Sequence, residues 1–148
     1  KCGFTPQYEG LEELYRKHIH DDAERRFVVE DTDGIVIGLV ELIEINYIHR
    51  SAEFQIIIAP EHQGLGYAME MINRALDYSF SILNLRKIYL LVAVENEIAI
   101  HLYKKCSFKE EGHLVEEYFI NGDYRDVIRM YILKHQYQKP IEEKKDSN

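Results

Sequence analysis

Between Phe54 and Val94 the chain runs through an apolar strand, a glycine turn, a long amphipathic helix and a second apolar strand, and that succession admits few folds. The first run is Phe54-Gln55-Ile56-Ile57-Ile58-Ala59, ended by Pro60. The second is Lys87–Val94, KIYLLVAV. Between them Ala68, Met71, Ile72, Ala75 and Leu76 recur at helical spacing, which predicts a helix from Gly66 to about Leu83. A strand, helix and strand in this order form a right-handed crossover, so the two strands should be parallel neighbours. The near-continuous apolar character of Lys87–Val94 suits a central strand covered on both faces.

The flanking segments read as hairpins. Arg26–Asp31 and Ile35–Ile45 flank Thr32-Asp33-Gly34, and Phe108–Ile120 and Asp123–Leu133 flank Asn121-Gly122. Ser51–Ile58 alternates, with Ala52, Phe54, Ile56 and Ile58 facing one way and Glu53, Gln55 and Ile57 the other. Glu9 to about His20 and Glu97–Lys105 read as helices. The expected fold is α/β of the α+β kind: a mixed, mostly antiparallel sheet with a central parallel pair, not a doubly wound one. Residues 1–139 form one domain, and 140–148 are a charged, disordered tail.

A turn from strand to helix is built to hold an anion. The first N–H groups of a helix lack internal partners and carry roughly half a unit of positive charge. Gly64 and Gly66, within Gln63-Gly64-Leu65-Gly66-Tyr67-Ala68, let that backbone approach a phosphate without an intervening Cβ. The dinucleotide pattern Gly-x-Gly-x-x-Gly is absent, as is the Gly-Lys-Ser/Thr of a P-loop. A plain connecting turn remains the alternative. The net charge of −8, without a Lys/Arg run, argues against nucleic acid. An acidic surface steers cations, although it also serves solubility. Cys2 and Cys106 form no disulfide framework or metal quartet. No apolar run approaches the roughly 18 residues of a membrane span, and no signal peptide is visible. The cytoplasm is therefore the expected compartment.

Gln63-x-x-Gly66-x-Ala68 after an apolar strand, with Tyr103 on a helix beyond the next strand, resembles the coenzyme A motif of the GNAT superfamily of N-acetyltransferases. Longer stretches are similar to bacterial spermidine N-acetyltransferases: Glu24–Glu30, Leu39–Arg50, Ala52–Ile58 and Phe119–Gly122. The resemblance extends from about Leu11 to Tyr137. It implies a GNAT-type sheet with helices on both faces, acetyl-CoA as co-substrate, and spermidine or spermine as acceptor. It implies also a homo-oligomer, a dodecamer in that family. The family carries a first strand and helices ahead of the position of Lys1, so an N-terminal segment is expected to be missing.

The resemblance places the pyrophosphate on the backbone of Gln63, Gly64, Leu65, Gly66, Tyr67, Ala68 and Met69. It places pantetheine along the backbone of Ile56, Ile57 and Ile58, whose side chains are expected to be core. Asn96 would either meet the pantetheine or simply form a turn. Tyr103 becomes the general acid for the departing sulfur, and a phenol with a pKa near 10 is a protonated donor at neutral pH. Glu53, with Phe54 and Gln55 beside it, would bind the substrate ammonium or accept its proton; a solvated strand glutamate is the alternative. A further polyamine site would use His18, Ile19, His20, Asp21 and Glu24 through charge-assisted hydrogen bonds. His18 and His20, two apart on a helix, diverge too far to chelate zinc. Glu44 would join Mg2+ or Ca2+ at that allosteric site. Two other activities fit the cofactor turn: acetyl transfer to a protein or aminoglycoside amine, and a non-catalytic coenzyme A or polyamine sensor.

Overall fold

The computed structural model describes residues 23–139. The helix expected over Glu9–His20, with His18, Ile19, His20 and Asp21, lies outside the described residues, as does the tail from Pro140.

Among the described residues six strands form one sheet in the order β1-β2-β3-β4-β6-β5. They are β1 (Arg25–Glu30), β2 (Val36–Asn46), β3 (Ser51–Ile58), β4 (Lys87–Ala93), β5 (Lys109–Ile120) and β6 (Asp123–Leu133). Helix α1 (Tyr67–Asp77) joins β3 to β4, and α2 (Glu97–Lys105) joins β4 to β5. Among the described residues only the β3–β4 pair is parallel. The expected mixed sheet with a central parallel pair is thus present.

Both hairpin signals act as their chemistry requires. Asn121 and Gly122 both have positive φ, 51° and 85°, as a twisted two-residue hairpin needs. At the other hairpin Gly34 is left-handed at 77°, and the Asp31 carboxylate accepts the N–H groups of Asp33 and Ile35, each at 2.9 Å.

One sheet face carries the main core. Val40 and Leu42 of β2, Ala52 and Phe54 of β3, Ile88 and Leu90 of β4, and Met130 and Ile132 of β6 join Met71, Ile72, Ala75 and Leu76 of α1 in one buried cluster. Ala99, Leu102 and Tyr103 of α2 pack against the same cluster. Among the described residues, therefore, both helices cover one face. The two crossovers advance in the same direction along the sheet, so a common right hand puts both helices on one side. The opposite face of β4 is consequently only half-buried at Lys87, Tyr89, Leu91 and Ala93. That is less cover than its apolar sequence suggests.

The helix expected to reach Leu83 remains α-helical to Asp77 and then widens into a π turn, Tyr78–Ile82. Buried Ser79 donates its hydroxyl to the Ala75 carbonyl at 2.6 Å, a competing bond that loosens the helical ladder.

Candidate active site

β3 and β4 pair at Ser51–Lys87, Ala52–Ile88 and Glu53–Tyr89, and then part. From Phe54 to Ile58, β3 keeps β2 on one edge but has no β4 partner on the other. β4 meanwhile continues along β6 to the Ala93–Val127 pair. A wedge therefore opens between the two central strands. Its β3 side offers main-chain donors and acceptors to which an extended chain can add as a strand does. Of the isoleucine side chains expected in the core, Ile56 and Ile58 are partly buried and pack against it, whereas Ile57, on the opposite face, is 51% exposed.

Beyond the wide end of the wedge, Pro60–His62 forms one 3-10 turn before the glycines. Gly66 caps α1 in the left-handed conformation at φ 84°, and no side chain caps the first helical N–H groups. A Cβ built on Gly64 or Gly66 would meet nothing within 4 Å, so the space before the helix terminus is open. Gln63 has a different task from its backbone. Its side-chain amide donates to the Ile58 carbonyl at 3.1 Å and fastens the turn to the end of β3. Leu65 is 64% exposed, and Met69 is exposed on the first helical turn. The six-residue turn thus presents an unpartnered, electropositive helix end to solvent.

Tyr103 lies at the narrow end, on the helix-bearing face. Its ring meets Phe108 edge-on at 5.8 Å, and Phe108 in turn lies 6.5 Å from Phe54, the first β3 residue beyond the parallel pairs. Phe54 and Phe108 are buried at 2% exposure. This corrects the placement of Phe54 among substrate contacts: its side chain is core, and only its backbone faces the wedge. Among the described residues the Tyr103 hydroxyl makes no hydrogen bond. Burial, followed by the neighbouring Cys106 thiol, pushes its pKa up to about 12. Cys106 is itself buried, and burial raises its thiol as well.

Glu53 projects from the other face. Burial raises its carboxyl, as does the like charge of Glu44, against a hydrogen bond from Gln55 and the positive charge of Arg129. Arg129 stacks over the Tyr89 ring at 3.8 Å. Glu44 sits where the β2–β3 register shifts, with φ 52°, and this bulge turns it toward the same field. Glu44 and Glu53 thus create a negative patch flanked by an aromatic ring. Among the described residues no group of three or more His, Cys, Asp or Glu could hold a metal ion. Glu24 is committed to an ion pair with Arg26, which also binds Glu41 at 3.0 Å. Asn96 caps α2, its side-chain oxygen accepting the Ala99 N–H at 3.2 Å, so it has the turn role; only its NH2 end is left for a ligand.

The sequence profile of the acetyltransferase (GNAT) family matches residues 2–108. The chain belongs to that family. It is an acyltransferase, and acetyl-CoA is its co-substrate. It is 75% identical over 130 residues to the spermidine N(1)-acetyltransferase of Vibrio cholerae, covering 88% of this chain and 75% of that one. It is 58% identical over 137 residues to the Escherichia coli spermidine N(1)-acetyltransferase, covering 90% and 73%. Among solved structures, the Vibrio cholerae spermidine N-acetyltransferase in complex with CoA and spermine superposes with a TM-score of 0.83 at 75% identity, covering 88% of this chain and 77% of that one. The same enzyme has been solved in complex with manganese ions, with a TM-score of 0.81. No helix among the described residues of this acetyltransferase is long and apolar enough to cross a membrane.

Sequence reasoning missed Phe108, which sets Tyr103 against Phe54, and Arg129 with Tyr89 on the acceptor side. It missed Gly38 too, where a Cβ would lie 2.4 Å from the Ile57 carbonyl oxygen. None of these carries a local signal, since each matters through a partner distant in the chain.

Proposed function

We propose that this acetyltransferase moves acetyl from acetyl-CoA to a primary amine of spermidine or spermine by direct attack in a ternary complex. The observation that carries the reading is the wedge between β3 and β4, flanked by Tyr103 on one sheet face and Glu53 on the other. The relatives named above support the polyamine as acceptor, and so does the Glu44–Glu53 negative field, which suits an ammonium chain.

In this reading the pyrophosphate rests on the α1 terminus, and pantetheine adds to the free edge of β3 at Ile56–Ile58. From Ile58 back to Glu53 the strand spans roughly 17 Å at ordinary strand rise, a length suited to an extended pantetheine arm. The thioester then lies at the narrow end, where the faces meet. Glu53 binds the incoming ammonium and, with its raised pKa, takes the proton that frees the amine lone pair. The amine nitrogen attacks the thioester carbonyl, the C–S bond breaks, Tyr103 gives its phenolic proton to the sulfur, and the second proton, shed by the nitrogen as the amide forms, passes through solvent to restore the phenol. A phenol near 12 is a weak acid in water. The burial that raises it, however, also raises the basicity of a thiolate formed beside it, which narrows the mismatch. A metal at Glu44 would need ligands beyond the described residues. The manganese complex of the relative makes equilibrium dialysis with Mg2+, Ca2+ and Mn2+ the measurement for that part.

Thiol release from acetyl-CoA tests the assignment, with spermidine, spermine, a peptide amine and an aminoglycoside offered separately. Release with the polyamines is expected. Tight acetyl-CoA binding without polyamine-dependent release would sink the proposal in favour of a sensor, and release with only the peptide or aminoglycoside would reassign the acceptor.

A further inference from the structure

At Gly38, β2 and β3 come closer than two side-chain-bearing strands can. Gly38 is buried and pairs with Ile58 across the two strands. A Cβ built on it would lie 2.4 Å from the Ile57 carbonyl oxygen, 2.9 Å from the Met71 methyl and 3.4 Å from the Ile58 Cα. The Met71 methyl ends a flexible side chain and can give way. The Ile57 oxygen is main chain and cannot move without the strand. A glycine inside a strand marks such an approach of another backbone.

The register beside it shows how β2 arrives there. Val29 of β1 pairs with Gly38, but Glu30 pairs with Val36, so Ile37 is an extra residue in the ladder. A bulge of this kind bends a strand and increases its twist. The Ile37 carbonyl still accepts the Ala59 N–H at 2.8 Å, so β2 holds β3 through to its end.

The other edge of the same stretch of β3 borders the wedge. Main-chain groups alternate between the two edges of a strand. Ala59 turns its N–H to β2, so Ile56 and Ile58 turn theirs to the wedge. In keeping with this, the Ile58 carbonyl accepts the Gln63 amide that fastens the anion turn. Gly38 therefore stands directly behind the part of β3 that has left β4. Width that a Cβ would take on the β2 side is left to the wedge.

We propose that Gly38 is a positioning residue for acetyl-CoA: lacking a Cβ, it lets β3 lean onto β2 at Ile57 and Ile58 and so keeps the wedge open for the pantetheine arm. The assignment rests on the placement of pantetheine in the reading above and adds the element that makes room for it. In Gly38→Ala the 2.4 Å approach must open to at least 3.0 Å. β3 then either moves into the wedge or turns its peptide planes. Both spoil the bonds to an added chain, because hydrogen bonds weaken steeply with misalignment.

The test uses the full chain carrying Gly38→Ala, Met71→Leu or both. In Gly38→Ala acetyl-CoA affinity by calorimetry should fall about tenfold, the scale of losing one or two hydrogen bonds, while the spermidine KM at saturating acetyl-CoA stays within about twofold. Crowding of the core is the competing explanation, and the double variant separates the two. Leucine is shorter than methionine and withdraws the group nearest the new methyl, so the melting temperature should recover. The Ile57 contact remains, so the affinity should not. Affinity that returns together with stability would overturn the assignment, as would unchanged affinity in a folded Gly38→Ala. If Gly38→Ala does not fold, the double variant carries the test. Failure of both to fold would make Gly38 a requirement of the sheet rather than of the site, and would overturn it too. A readout free of turnover is amide hydrogen exchange at Ile56 and Ile58. Acetyl-CoA should slow it in the unmodified chain and slow it less in Gly38→Ala; equal slowing in both would count against Gly38. Acetyl-CoA binding that slows neither amide in the unmodified chain would instead remove pantetheine from β3, and Gly38 with it, so failure of the underlying reading is seen separately.

Discussion

The Gln63–Ala68 turn and the polar face around Glu53 lie at opposite ends of one strand, β3, and they are built in opposite ways. In the proposed reading the turn binds through backbone: left-handed glycines, free helical N–H groups and a glutamine that fastens the loop to Ile58. All of it comes from one short stretch of sequence. The proposed acceptor face would bind through side chains. Glu53, Tyr89 and Arg129 come from three strands, and a bulge in β2 aims Glu44. A backbone site recognises the part shared by every acetyl-CoA enzyme, whereas a side-chain site can be retuned to a new amine without disturbing the donor.

The sharpest way to break this contrast is at the point where the two regions meet. Tyr103→Phe keeps the ring against Phe108 and removes only the hydroxyl. Turnover should fall about 10²- to 10³-fold, the scale of general-acid catalysis, with acetyl-CoA affinity retained. A general acid works while protonated, so its activity is lost only as pH rises through its pKa, here about 12. The kcat profile of the unmodified chain should therefore show no alkaline decline from Tyr103 below about pH 10. A decline centred near pH 9 that disappears in Tyr103→Phe would contradict the placement. Next comes the donor side alone. Gly66→Val forces a β-branched residue into φ 84° and fills open space before α1, so acetyl-CoA affinity should weaken about 30-fold by calorimetry. Unaltered affinity in a folded variant would remove the turn from the cofactor site.

The difference between the two regions also explains what could be seen in advance. The crossover, both hairpins and the glycine turn follow from periodicity and turn chemistry, which are local. The Asn121-Gly122 signal even located its hairpin, but not the bulge five residues before it at Glu116, because that depends on Asp126 across the strand. Glu53 was placed on the correct face by simple alternation. Its surroundings were not, since Tyr89 reaches it through parallel pairing and Arg129 through the β4–β6 register. The parting of β3 from β4 has no residue signature. It follows from pairing that stops, which a single strand does not announce. Phe54 is misjudged for that reason: an aromatic ring next to a carboxylate read as substrate-binding looks like a contact until the core behind it is known.

On the acceptor side, Glu53→Gln should raise the spermidine KM about tenfold with little change in acetyl-CoA affinity, the scale of a hydrogen bond to a charged group. The pH dependence sharpens this. Burial and Glu44 raise the Glu53 carboxyl, so its charged form is lost at a higher pH than for an ordinary glutamate. The spermidine KM should therefore climb as pH falls through that raised value, and Glu53→Gln should abolish the climb. A limb that persists in the variant would assign it to another group and leave Glu53 as a bystander.

The smallest expected effect concerns the frame behind this face. Glu111 binds Lys87 and Arg129, each at 2.8 Å, and so joins β4, β5 and β6 beneath Tyr89. Burial opposes its charge, but the hydrogen bonds from Lys87 and Arg129 prevail and hold its carboxyl below the ordinary value. A depressed carboxyl contributes stability that is present above its unfolded pKa and lost as pH falls through the folded one. Glu111→Gln should therefore cost about 1 kcal/mol at pH 7, once the partial exposure of the three groups is allowed for. The cost should shrink as denaturation is repeated toward pH 3. Arg129 also stacks on Tyr89, so releasing it should disturb the acceptor before the donor, with a small rise in spermidine KM and none for acetyl-CoA. Equal effects on both substrates would mean that the two ends of β3 are mechanically coupled, and the separation drawn between them would fail.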